Sequence, residues 1–131
     1  MTGLDTNILV RYLTQDDPVQ SRKAIEIIER RLSLTDPGFV SVVTIAETVW
    51  VLDRAYNFSN REIAAAVERM LQVEVLVIQH EQEVFAAMIA LKQGRSSFSD
   101  ALIAELGAQA GCLHTLTFDQ KALRFPRFRL P

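Results

Sequence analysis

The sequence predicts an α/β fold, a parallel sheet with helices over both faces. Three observations lead there. Short β-branched or apolar runs, "FVSV" at residues 39–42 and "VEVLVI" at 73–78, read as buried strands. Between such runs, apolar residues recur at helical spacing. Strand and helix then alternate, and parallel neighbours need a helix-sized crossover between them.

Residues 2–5 make the first strand, and a helix follows from Thr6 to about Gln15. In "DDPVQ", Asp17 caps the next helix and Pro18 takes its first position. Ala24, Ile27, Ile28 and Leu32 carry that helix to about Ser33. "DPG" at 36–38 is a turn before the second strand. Residues 43–56 are helical, with Ile45, Val49, Leu52 and Tyr56 on one face. Ser59 with Glu62 forms a capping box, and Phe58 staples to Ile63, opening a helix to about Val73. "VEVLVI" is the third strand. A helix from Glu81 stops at Gly94, and another runs from near Ser99 to Gly111. "CLHTLT" at 112–117 is the fourth strand. A helical turn follows Asp119, and the tail "RFPRFRLP" holds a final short strand.

The 131 residues suit one domain, and no repeat or linker divides them. Net charge is −2, from 14 basic and 16 acidic residues. That balance does not mark a nucleic-acid binder. It does not exclude one, because acids gathered in a site and bases on its rim cancel in the sum. Cys112 is the only cysteine, which excludes an internal disulfide and a cysteine zinc site. It is expected to be a buried thiol in a reducing cytoplasm. The first ten residues lack a basic stretch and a small-residue cleavage site, so no secretory signal is expected. The longest apolar run, Phe39 to Leu52, is interrupted by Glu47 and too short to span a membrane. A soluble, cytoplasmic chain is the expectation.

In open α/β sheets, ligands bind beyond the carboxyl ends of the strands. Four acids are expected at that edge. Asp5 ends the first strand, and Glu47 lies in the helix after the second, in "VVTIAETVWV". Asp100 opens a helix in "SSFSDALIA", and Asp119 follows the fourth strand in "TLTFDQKAL". Asp5, Glu47 and Asp100 are each the only charge in an apolar neighbourhood. Carboxylates sharing a small cavity repel, and a divalent cation removes the penalty. Oxygen-only ligands suit Mg²⁺ or Mn²⁺, which activate water and stabilise displacement at phosphorus. Taken singly, three of the acids have simpler explanations. Asp5 caps the helix at Thr6, Asp100 complements a helix dipole, and Asp119 caps a short turn. Glu47 does not, because its helix is apolar on several faces. No Ser/His/Asp or Cys/His set competes. His80 and His114 sit at the end of one strand and inside another, and no glycine-rich phosphate loop is present.

"GLDTNILVRYL", "TIAETVWVL", "SFSDALIA" and "TLTFDQKA", in this order, resemble the PIN-domain nucleases. Within them the chain is similar to the VapC-type toxins of bacterial toxin–antitoxin pairs. The resemblance runs from Met1 to about Arg129. It implies a three-layer α/β/α sandwich around a mostly parallel five-stranded sheet. It further implies an endoribonuclease dependent on Mg²⁺ or Mn²⁺ that leaves a 5′-phosphate and a 3′-hydroxyl. The metal-holding acids then fall on Asp5, Glu47, Asp100 and Asp119. A small polar helper falls on Thr6, Asn7 orients the loop, and a supporting hydroxyl falls on Thr117. The resemblance also implies a homodimer, and a small antitoxin whose tail fills the active-site groove. One departure stands out: many relatives carry a further acid where this chain has Ser97.

An RNA substrate needs cations on the rim. Arg11, Lys92, Arg95, Lys121 and Arg124 are the candidates. Arg127 and Arg129 alternate with Phe125 and Phe128, as an edge strand or an RNA-binding tail would. The helices at 18–32 and 43–56, with Trp50 and Tyr56, offer an antitoxin groove, though core packing explains Trp50 equally well. Two rival functions remain. One is a catalytically idle RNA-binding or scaffold module. The other is a metal-dependent phosphatase, which would place Asp-x-Asp after the first strand; the residue two beyond Asp5 is Asn7.

Overall fold

A computed structural model describes all residues, 1–131. The chain runs β1 (Thr2–Gly3), α1 (Thr6–Thr14), α2 (Pro18–Glu26), β2 (Gly38–Val40), α3 (Val42–Arg54), α4 (Asn60–Gln72), β3 (Leu76–Ile78), α5 (Glu81–Lys92), α6 (Phe98–Gln109), β4 (Thr115–Leu116) and β5 (Phe128–Arg129). A π-helical turn at Ile27–Arg31 extends α2, and a 3₁₀ turn at Ala122–Arg124 precedes β5. The α/β class and the parallel pairing stand.

The five-stranded sheet does not. β1, β2 and β3 form a three-stranded parallel sheet in that order, with Gly38 paired to Thr2 on one side and to Leu76 on the other. β4 and β5 form a separate parallel pair, Thr115 opposite Phe128 and Leu116 opposite Arg129. The second sheet has its own anchors. Arg127 Nε lies 3.0 Å from Glu105 Oε1 on α6, and Phe125 is buried. Gly107 brings α6 close to β4: a Cβ there would lie 3.0 Å from Thr115 Oγ1. The apolar side chains beside β4 remain in solvent, with Leu113 94%, Leu116 58% and Phe118 87% exposed.

Helix starts follow the local chemistry. Asp17 Oδ1 accepts from Gln20 N at 3.0 Å, with Pro18 at the first helical position. Ser41 caps α3, Ser97 caps α6, and Ser59 with Glu62 completes the reciprocal box that opens α4. Each such cap satisfies an orphan N–H of the first turn. The strands are shorter than the apolar runs that suggested them. In "VEVLVI" the first residues turn out of α4, since Leu76 N donates to Val73 O at 3.0 Å. In "CLHTLT" Cys112 N still closes α6, donating to Gly107 O at 2.9 Å. His114 consequently precedes β4, and Cys112 is exposed, not buried as expected.

A continuous core holds the layers together. Leu9 from α1, Val40 from β2, Ile45 and Leu52 from α3, Val67 from α4, Val84 and Met88 from α5 and Ala101 from α6 are all essentially inaccessible. α1 packs on α2 and α3, α4 on α3 and α5, and α5 on α6. No helix is long and apolar enough to cross a membrane.

Candidate active site

The end of β1 and the start of α1 place Asp5, Thr6 and Asn7 in one corner of the molecule. Asp5 has extended backbone and caps α1, its Oδ1 accepting from Thr6 N at 2.8 Å. The capping explanation for Asp5 is therefore real, and it leaves Oδ2 uncommitted. Thr6 is buried, and its hydroxyl donates to Glu47 Oε1. Packing of α1 against α3 makes that contact possible across 41 residues of sequence. Asp5, Thr6, Asn7, Glu47 and Tyr56 border one cavity of about 290 Å³. Both carboxylates are exposed, so they meet at a watery cleft and not in the apolar surroundings their sequence neighbours implied. Asn7 lies within the first turn of α1, just after the Leu4–Asp5 connection, and lines the same cavity.

The other two acids belong to other elements and do not line this cavity. Asp100 is half-buried in the first turn of α6, its N–H donating to Ser97 Oγ at 3.1 Å. Ser97 thus has a structural task as the cap of α6, one that Asp would also perform. Asp119 follows β4. Its N–H donates to Thr117 Oγ1 at 3.0 Å, and its Oδ1 accepts from Lys121 N at 2.9 Å. Neither Asp100 nor Asp119 lines the cavity of Asp5 and Glu47. No group of three or more His, Cys, Asp or Glu side chains is close enough together to hold a metal ion. The donor chemistry of the Asp5–Glu47 pair still fits a hard divalent cation. Mg²⁺ is commonly held by one or two carboxylates, keeping waters and taking substrate phosphate for the rest.

The rim cations divide into engaged and free. Arg11 lines the cavity, but Asp16, Gln20 and Tyr56 hold its guanidinium. Its pKa is raised, chiefly by the hydrogen bond to Asp16. Asp16 also accepts from Tyr56 at 2.8 Å and Thr14 at 2.9 Å, and these donors lower its pKa to about 2. This network joins α1 to the end of α3, and nothing in residue spacing signals it. Arg95 lies over the Phe125 ring, 5.6 Å from its centroid. Lys92, Lys121 and Arg124 are exposed and form no salt bridge. Trp50, one turn beyond Glu47 on α3, is 60% exposed, so core packing does not account for it.

An α/β domain with paired carboxylates beyond its first strand is the class this fold and site define. The PIN domain family model matches residues 4–128, and the chain belongs to the PIN domain family. PIN domains are generally nucleases, and they typically use divalent metals. No curated protein matches the chain.

Proposed function

We propose that this PIN-domain protein is a divalent-metal-dependent endoribonuclease, the toxin of a cytoplasmic VapC-type toxin–antitoxin pair. One observation carries the reading: Asp5 and Glu47, from separate elements, border a single cleft with Thr6 bonded between them. Mg²⁺ or Mn²⁺, when bound, lowers the pKa of a coordinated water and neutralises charge on the phosphodiester. Asp5 and Glu47 would hold the ion. Thr6 fixes both carboxylates at once, its N–H on Asp5 and its O–H on Glu47, so neither must reorganise as the ion enters. Asn7 adds a neutral amide to the same wall. Asp100, Asp119 and Thr117 are further candidates for the metal site through the sequence resemblance. Arg11, Lys92, Arg95, Lys121 and Arg124 are candidate phosphate contacts. A small antitoxin covering the cleft, and a homodimer, complete the proposal.

The rival reading, an idle RNA-binding module, draws on the positions of Asp100 and Asp119 outside the cleft. One assay separates the two. Purified protein is incubated with RNA, DNA and a chromogenic phosphomonoester, each with and without Mn²⁺. RNA cleavage that needs the ion, and that Asp5→Asn and Glu47→Gln each reduce by about a hundredfold or more, supports the nuclease. Asp100→Asn and Asp119→Asn run beside them to decide whether those acids take part. RNA bound but never cut establishes the idle module. Hydrolysis of the monoester alone establishes a phosphatase.

A further inference from the structure

A second cavity, of about 280 Å³, shares helix α3 with the Asp5–Glu47 cleft but is lined by different α3 residues. Trp50 and Asp53 supply its α3 wall, Asn60 at the start of α4 another, Ser97 and Ser99 at the start of α6 a third, and Arg124 closes it. We propose that this cavity is a nucleotide subsite, in which Trp50 stacks an unpaired RNA base and Arg124 takes the adjoining phosphate. The inference rests on the ribonuclease reading and deepens it.

Four features carry it. Trp50 keeps 60% of its surface in water, a costly arrangement for the largest aromatic side chain unless something covers it. Arg124 has a charge that no carboxylate satisfies. The Ser99 hydroxyl and the Asn60 amide make no hydrogen bond within the chain, so their capacity is unspent. Finally, Trp50 and Glu47 are three residues apart on one helix, which puts their Cβ atoms about 5–6 Å from each other. A strand with one base on Trp50 would therefore lay its neighbouring phosphodiester beside the acidic cleft. A π-face with a cation alongside it is how single strands are held without a paired partner.

Asp53 gives the subsite a preference. Its carboxylate only accepts hydrogen bonds, and its one cation, Arg54, is distant at 3.9 Å. Cytosine N4 and adenine N6 are donors that a carboxylate or an amide reads. Uracil alone among the RNA bases has no exocyclic amine. Uracil offers Asp53 only its N3–H, so the subsite is expected to favour a base whose exocyclic amine adds a donor. Val49, Ile63 and Phe98 complete the lining, so apolar surface stands beside these polar groups, as a base with an apolar face and polar edges requires.

Trp50 is the only tryptophan, so its fluorescence reports this cavity and nothing else. The full-length Asp5→Asn variant is titrated with hexacytidylate and with hexauridylate, without metal. Saturable quenching is expected, stronger at a given concentration for the cytidine oligomer. Removing an aromatic that stacks one base should weaken binding by about 5- to 150-fold, read for Trp50→Ala by anisotropy of a labelled oligomer, with Trp50→Phe recovering most of the loss. Arg124→Gln should lower the salt slope of binding by about one counterion while leaving the Trp50 emission maximum unchanged. Oligomer binding with no change in emission and no loss in Trp50→Ala overturns the subsite. Equal quenching by the two oligomers overturns the role given to Asp53. Cleavage by wild type in Mn²⁺ is scored separately: cutting without quenching leaves the nuclease standing and the subsite refuted, whereas quenching without cutting does the reverse.

Discussion

Asp16 accepts hydrogen bonds from Tyr56, Thr14 and Arg11, and the Tyr56 and Thr14 hydroxyls lead in lowering its pKa to about 2. A carboxylate whose pKa falls on folding favours the folded state only while ionised. Its contribution is complete above the ordinary carboxylate value and disappears as the pH falls through that value toward about 2. Asp16→Asn is expected to flatten the acid side of the stability profile, checked by urea midpoints at about pH 5 and about pH 2. Tyr56→Phe should raise the Asp16 midpoint seen by NMR titration, because the hydroxyl that does most to stabilise the carboxylate is gone. Residue-level legibility follows sequence distance. Asp5 was readable as a cap because Thr6 is its neighbour. The Thr6–Glu47 contact spans 41 residues and the Arg11–Tyr56 contact 45, and no local pattern encodes either. Glu47 and Asp5 looked isolated among apolar residues, yet both are exposed: Glu47 lies on the face of α3 that meets water, and Asp5 caps the start of α1.

Elements were legible where their ends depend on caps. Asp17–Pro18, Ser59–Glu62 and the glycines after α5 and α6, at positive φ of 71° and 99°, all mark ends near where their chemistry places them. Strands were less legible, because an apolar run does not say which of its residues still belong to the preceding helix. β2 shows a second limit. Gly38 reads as the end of a turn, yet it begins the central strand, where Leu4, Leu32 and Leu76 close over it. A Cβ there would come within 2.8 Å of Leu32 Cδ1 and 3.0 Å of Leu4 Cδ1. Gly38→Ala is expected to destabilise the fold by about 1–3 kcal/mol through overpacking, measured by chemical denaturation. Gly3→Ala, where no atom lies within 4 Å, is the control that should change little.

At the scale of the molecule, alternating strands and helices predicted the class and the parallel pairing, whereas the five-stranded sheet implied by the family resemblance is a three-stranded sheet and a separate pair. Alternation states that parallel strands exist, but edge pairing depends on which strand finds which partner, and β4 finds β5 alone. The C-terminal pair hangs on few supports: a Glu105–Arg127 ion pair, buried Phe125 and Ala122, and hydrogen bonds such as Thr115 N to Arg127 O at 2.8 Å. Segments with few buried apolar contacts open at lower free energy than the core. Amide exchange is therefore expected to be faster at Thr115 and Thr117 than at Leu4, Gly38 and Gln79, whose bonds tie the three-stranded sheet together. Mass spectrometry of deuterium uptake checks this directly. Equal protection in both sheets would show that the molecule opens as one unit.

Cys112, exposed just beyond α6, is the chain's only thiol. One maleimide dye per molecule will attach there without disturbing the core, next to the segment that ends in Asp119. In air, the same sulfur can join two molecules covalently, so any dimer seen without reductant must first be shown to survive dithiothreitol.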